Sequence, residues 1–259
     1  MAINVDTVYK TVLLILNQQQ RGYMTPDEFN KVGTQVQLSI FETYQDDLNQ
    51  QYRTPQNDTE YANRVTNIEQ KLQPFQKYIN NASTTGAVTG NNPFTLNVRV
   101  YPADTPGPLN DIYKIGSIIY QGIQLSQYAQ RNEITQLLLS PLTQPTTSFP
   151  IYLLEAGADA TPSNSLLSVY PTTIVTADDI NISYLKTPAD IKWTYSIGAL
   201  GQFQYDPSGA GAQNFELSIT EQTSVITKIL IYAGVIINDP TIIQVASQQI
   251  NQEEQNSKS

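Results

Sequence analysis

Two pairs of adjacent carboxylates, Asp46-Asp47 and Asp178-Asp179, are the residues whose type and spacing come nearest to chemistry. Paired carboxylates hydrolyse glycosides, and carboxylate clusters hold magnesium or calcium. The run around Asp46-Asp47 has a helical pattern. Successive helical residues point in different directions, so these two side chains do not converge on one ion. Asp178-Asp179 precedes a strand-like run, and both pairs read as solvated acidic residues. The glycine-rich run Asp206-Pro207-Ser208-Gly209-Ala210-Gly211 would suit a phosphate cradle. It lacks the Gly-Lys-Ser/Thr ending of a P-loop and the spacing of a dinucleotide fingerprint, so it reads as a surface turn, as does the stretch from Gly86 to Gly90. Trp193 is the sole tryptophan. It reads as a packing anchor, because stacking platforms for sugars or bases present several aromatics.

No histidine and no cysteine occurs among the 259 residues. That double absence closes the usual catalytic triads, cysteine hydrolases, thiol redox sites, zinc sites and haem ligation by those residues. Carboxylate, lysine or tyrosine chemistry and hard cations on oxygen ligands stay open. The expectation is a protein that is not an enzyme, with no catalytic residue, no cofactor and no metal.

Charged residues make up 14% of the chain, well below the ~25% of ordinary soluble domains, and Gln, Asn, Thr and Ser fill the polar share. A surface of amides and hydroxyls is easier to desolvate than one of ion pairs, which leans toward a subunit of an assembly; nucleotide bias in a genome gives the same composition. Sixteen tyrosines add to the interface reading. The net charge of −9 argues against a protein that grips nucleic acid, although a like-charged wall suits a channel through which DNA slides. Met1 to Asp6 has neither the basic region nor the apolar core of a signal peptide. The longest apolar run, Ile229 to Ile237, falls short of the ~20 residues of a spanning helix, so no membrane anchor is expected.

The elements that would position these residues follow from periodicity. Val5, Val8, Tyr9, Val12, Leu13, Ile15 and Leu16 mark a first helix. Thr25-Pro26-Asp27-Glu28 is a helix start in which Thr25 caps, Pro26 takes the first position and Glu28 bonds back to the cap. The stripe Phe29, Val32, Val36, Ile40, Phe41, Tyr44 and Leu48 carries that second helix to about Tyr52. A third starts at Asp58, with Tyr61, Val65, Ile68, Leu72 and Phe75 apolar, and frays near Pro74. Alternation predicts a strand through Phe94, Leu96, Val98 and Val100, and further strands at 112–120, 122–128, 149–154, 165–170 and 180–185, with a short helix at 133–139. Ser218 and Glu221 stand at capping-box spacing before a helix containing Val225, Ile226, Ile229, Leu230, Ala233 and Ile236. Asp239 caps a second C-terminal helix through Ile242, Ile243, Ala246 and Ile250, followed by a polar tail. The order predicts an α+β fold: an N-terminal helical bundle (1–80), a central antiparallel β-rich insertion with one short helix (81–215), and two C-terminal helices (216–259) packing back on the bundle.

Several runs resemble the virion structural proteins of crAss-like and related short-tailed bacteriophages. They are Ile3-Asn4-Val5-Asp6-Thr7-Val8-Tyr9, Gln20-Arg21-Gly22-Tyr23-Met24-Thr25-Pro26-Asp27-Glu28-Phe29-Asn30 and Asp58-Thr59-Glu60-Tyr61. The resemblance continues through Pro141 to Thr146, Pro150-Ile151-Tyr152, Tyr170-Pro171, Tyr184 to Pro188, Lys192-Trp193, Phe215 to Ser218 with Glu221, and Ile229 to Val235. It covers most of the chain through diffuse motifs. It implies a ring protein of the head-to-tail connector, or neck, between portal and tail, with a helical bundle carrying a strand-rich insertion and about a dozen copies closing the ring. Its implied partners are further copies of itself, the portal protein and neighbouring ring and tail proteins; DNA passes the channel without specific binding. The implied location is the virion neck, assembled in the bacterial host cytoplasm. Ring contacts would fall to the N-terminal helices and C-terminal tail, while the strand region projects to the next ring. The competing readings are a carboxylate-dependent glycan-degrading tail enzyme and an internal, ejected virion protein.

Overall fold

A computed structural model describes residues 2–18, 23–53, 61–80, 88–96, 112–122, 124–156, 165–199, 201–237, 244 and 247–248. The fold is α+β. Helices α1 (Val5–Gln18), α2 (Pro26–Arg53) and α3 (Tyr61–Leu72) come first, α4 (Arg131–Leu139) lies among strands, and α5 (Gln222–Ile237) comes late. The strands are β1 (Gln76–Asn80), β2 (Val88–Thr89), β3 (Phe94–Leu96), β4 (Ile112–Tyr120), β5 (Gln124–Tyr128), β6 (Ile151–Ala156), β7 (Ser165–Tyr170), β8 (Ile180–Lys186), β9 (Tyr195–Ile197) and β10 (Phe203–Tyr205).

The chain divides into two compact units, Met1–Pro74 with Pro188–Ser259, and Phe75–Thr187. In the first, α5 packs on both α1 and α2, and α3 packs on α2. The predicted apolar stripes supply the core: Val5, Val8, Tyr9, Val12 and Leu16 of α1, Phe29, Val36, Ile40, Phe41 and Tyr44 of α2, and Val225, Ile229 and Ala233 of α5 are buried. The capping box that opens α2 forms as its sequence predicts. Glu28 Oε2 accepts from Thr25 N at 2.9 Å and from Thr25 Oγ1 at 2.8 Å, and Thr25 Oγ1 accepts from Glu28 N at 3.4 Å. The box expected at Ser218 and Glu221 does not form. Residues Ile219–Glu221 make a 3₁₀ turn, the Ser218 hydroxyl accepts from Thr220, and Glu221 pairs with Lys71 of α3 at 3.0 Å. A basic partner within reach outcompetes a local backbone donor for that carboxylate.

The second unit is a curled, mostly antiparallel sheet in the order β1-β8-β4-β5-β6-β7-β3-β2, with β5–β6 its parallel pair. Ile180, Ile182 and Tyr184 alternate along β8 toward a core completed by Ile118, Tyr152, Leu167, Val169, Phe94, Leu96 and Val88. The α4 start carries its own box, in which Gln130 N donates to Glu133 Oε2 at 2.9 Å.

Two boundaries differ from the sequence reading. Gln76–Asn80, assigned above to the helical bundle, is a strand paired with β8, because α3 ends at Leu72 and a 3₁₀ turn at Gln73–Phe75 redirects the chain. Residues 188–215, assigned to the β-rich insertion, belong with the helices, and their β9–β10 hairpin forms a separate two-stranded sheet. Val98, Val100, the helix start at Asp58 and most of the helix after Asp239 lie outside the described residues; Gln244, Ser247 and Gln248 are helical.

Candidate functional site

One face of α2 holds an extended stretch of chain by side-chain hydrogen bonds. Asn30, Thr34 and Gln37, spaced by four and three, lie on one side of the helix. Asn30 Oδ1 accepts from Trp193 N at 2.7 Å and its Nδ2 donates to Trp193 O at 3.3 Å. Thr34 Oγ1 accepts from Ile191 N at 3.1 Å, and Gln37 Nε2 donates to Ala189 O at 2.7 Å. The bonds fall on residues 189, 191 and 193, the alternate positions that share one side of an extended chain. Gln37 Oε1 also accepts from Glu216 N at 2.8 Å, while Glu216 Oε2 accepts from Ala189 N at 3.0 Å, so the second pass of the chain is tied in as well. Gly33 permits the close approach, since a Cβ there would sit 2.3 Å from Ile191 Cδ1.

Trp193 ends this clasp inside an aromatic cluster. Its ring stacks on Tyr195 and Tyr205 at 5.8 and 5.7 Å and meets Tyr9 at 4.5 Å, and its Nε1 donates to Asp6 Oδ1 at 3.1 Å. The side chain is buried, which fits the packing-anchor reading. Burial, then the neighbouring Tyr23, Glu28 and Tyr195, pushes the Tyr9 phenol well above the ordinary tyrosine range; its hydroxyl donates to Met24 O at 3.0 Å. Tyr44 is raised likewise, by burial first and then by Glu221 and Asp47. Lys71, the partner of Glu221, stands 5.3 Å from the Tyr44 ring centroid.

Neither carboxylate pair weighed above is buried. Asp46 and Asp178 are exposed, and Asp47 and Asp179 are half-buried. Among the described residues no group of three or more Asp and Glu is placed to hold a metal ion. The glycine-rich run is a turn: Ser208 N bonds Asp206 Oδ1 at 3.0 Å, and Lys192 Nζ covers Ala210 O at 2.9 Å. Gly209 lies against Thr194, where a Cβ would come within 2.7 Å. No described helix is long and apolar enough to cross a membrane.

Apolar side chains are displayed where these polar ones are engaged. The last residue of α4, Leu139, is exposed, as are Leu142 and Phe149 on the connection to β6 and Ile197 on the β9–β10 hairpin. The clasp and these displayed side chains escape periodicity, although Asn30, Thr34 and Gln37 flanking Gly33 are a readable sign of a packed polar face. In sequence comparison the chain matches no protein-family model and no curated protein.

Proposed function

We propose that this chain is a structural subunit of a bacteriophage neck, a ring of identical copies in the connector between portal and tail. The observation that carries the reading is an inversion of what an enzyme needs. Polar side chains fitted for recognition, Asn30, Thr34, Gln37, Glu216 and Asp6, are engaged in holding the chain to itself, while the large apolar side chains Leu139, Leu142, Phe149 and Ile197 stand in solvent. Contiguous exposed apolar surface marks contact with other proteins, and on this reading these side chains belong to such contacts. The low charge and the resemblance to short-tailed phage virion proteins point the same way.

On this reading the subunit docks on the portal or an adjacent ring and leaves a channel for DNA. With a net charge of −9 the wall repels a duplex instead of holding it. A closed ring joins two different faces of each copy, a heterologous contact. Quantitative mass spectrometry of purified virions, with averaged images of the neck, tests the proposal. Stoichiometric copies and ring density at the neck are expected; a chain absent from virions, or present without a ring, refutes it.

A further inference from the structure

The helices of the first unit are held unequally. Val5, Val8, Tyr9, Val12 and Leu16 of α1 and Val225, Ile229 and Ala233 of α5 are buried. Of α3, Leu72 alone is buried among the described side chains. Val65 and Ile68, on the same stripe, are half-buried, and the others from Arg64 to Lys71 are exposed. A helix of 12 residues is marginal by itself, so α3 persists by docking, and little apolar area docks it.

Polar ties supplement that small area. Lys71 Nζ meets Glu221 Oε1 at 3.0 Å, with the Glu221 side chain 15% exposed and that of Lys71 45%. The same ammonium stands 5.3 Å from the Tyr44 ring centroid, and Tyr52 Oη donates to Glu69 Oε1 at 3.3 Å. Lys71 thereby joins α3 both to α2 and to the turn that opens α5. Breaking a pair with one mostly buried partner strands that partner's charge, so this tie outweighs an exposed one.

Glu221 also has a second berth. It stands at capping-box spacing from Ser218, and the box is unformed because the carboxylate reaches Lys71 instead. Once Lys71 leaves, the same carboxylate is free to return to the Ser218 backbone and cap α5, which offsets part of the lost pair. One carboxylate with two alternative partners is the kind of bistable contact on which a local opening turns.

We infer that α3 is a strap: it opens from α2 as one piece while α1, α2 and α5 stay packed, and the Lys71–Glu221 pair is the latch that holds it shut. The strap leads through the turn Gln73–Phe75 into β1, so its release lengthens the covalent link into the second unit by a helix of 12 residues. This device stands apart from the ring reading and does not depend on it.

Hydrogen–deuterium exchange of the full-length chain, read by mass spectrometry, tests the inference. In wild type, amides of residues 65–72 are expected to exchange at least about tenfold faster than those of residues 36–44. Lys71→Met keeps helix propensity and removes the charge. It is expected to speed exchange of 65–72 at least about fivefold further, while residues 8–16 and 36–44 keep their protection. Glu221→Gln is expected to do the same, and the double variant to add nothing, since either change already opens the latch. Four results would each overturn the inference: α3 amides as protected as those of α2, protection lost in all helices together, either single variant leaving α3 unchanged, or additive effects in the double variant.

Discussion

Replacing Gln37 by leucine removes the centre of the α2 clasp and leaves the helix intact. The side chain is 1% exposed and serves Ala189 O and Glu216 N, backbone groups of two half-buried residues that lose this partner once the amide is gone. Leaving a buried polar group unpaired costs about 1–3 kcal/mol, so the two together cost up to about 6 kcal/mol, which the leucine's own burial and the half-buried setting of both groups bring to about 2–5 kcal/mol. Against a typical domain stability of about 5–15 kcal/mol, that is a large fraction. With an m-value of about 2 kcal/mol/M, the urea midpoint falls by roughly 1–2.5 M. Trp193 is the only tryptophan and sits at the end of the clasp, so its emission follows the unfolding of the helical unit. The control is Gln35→Leu on the exposed face of the same helix, expected within about 0.5 kcal/mol of wild type. Equal midpoints for Gln37→Leu and Gln35→Leu would refute the idea that this polar face holds the returning chain.

Thr25→Ala is expected to cost about 1 kcal/mol by loss of the α2 cap, measured by thermal unfolding at neutral pH. The backbone and hydroxyl bonds from Thr25 hold the Glu28 carboxyl below the ordinary glutamate range, so the box's contribution is complete above that range and lost as pH falls through it. The gap between wild type and Thr25→Ala should therefore narrow in acid; a gap that widens contradicts the assignment. At the other extreme, burial favours the neutral phenols of Tyr9 and Tyr44, so their contribution is complete below about pH 10 and falls above it. Tyr9→Phe and Tyr44→Phe should blunt this alkaline loss in a pH series of urea midpoints; identical alkaline slopes would count against it.

Much of the architecture was legible because it rests on strong local signals. Thr25-Pro26-Asp27-Glu28 is a complete helix start within four residues, and the alternation in 180–186 announces a half-buried strand. Edge strand β1 escaped because Gln-Lys-Tyr-Ile-Asn has little apolar content and is held by its pairing with β8. The membership of 188–215 escaped for a different reason. Its partners Asn30, Thr34 and Gln37 look like the solvent face of a helix, and only tertiary contact shows that the face is covered. The Ser218–Glu221 spacing misled because Lys71, distant in sequence, claims the carboxylate. The displayed apolar side chains were invisible for a related reason: Leu139, Leu142 and Phe149 read locally like any core residues.

The way the second unit enters and leaves the chain bears on how the protein comes to fold. Its first and last strands are partners, with Gln76 opposite Leu185, so an insertion of over a hundred residues begins and ends at neighbouring points. The helices α1 and α2 are synthesised first, but α5 and the segment that α2 clasps come last. The sheet is complete as soon as β8 has been made. Forming it early turns a loop of about 110 residues into a short bridge, and the logarithmic part of that closure term is roughly 4 kcal/mol. The strand-rich insertion thus acts as an internal splint, bringing the two halves of the helical unit within reach before they have any contact to hold them.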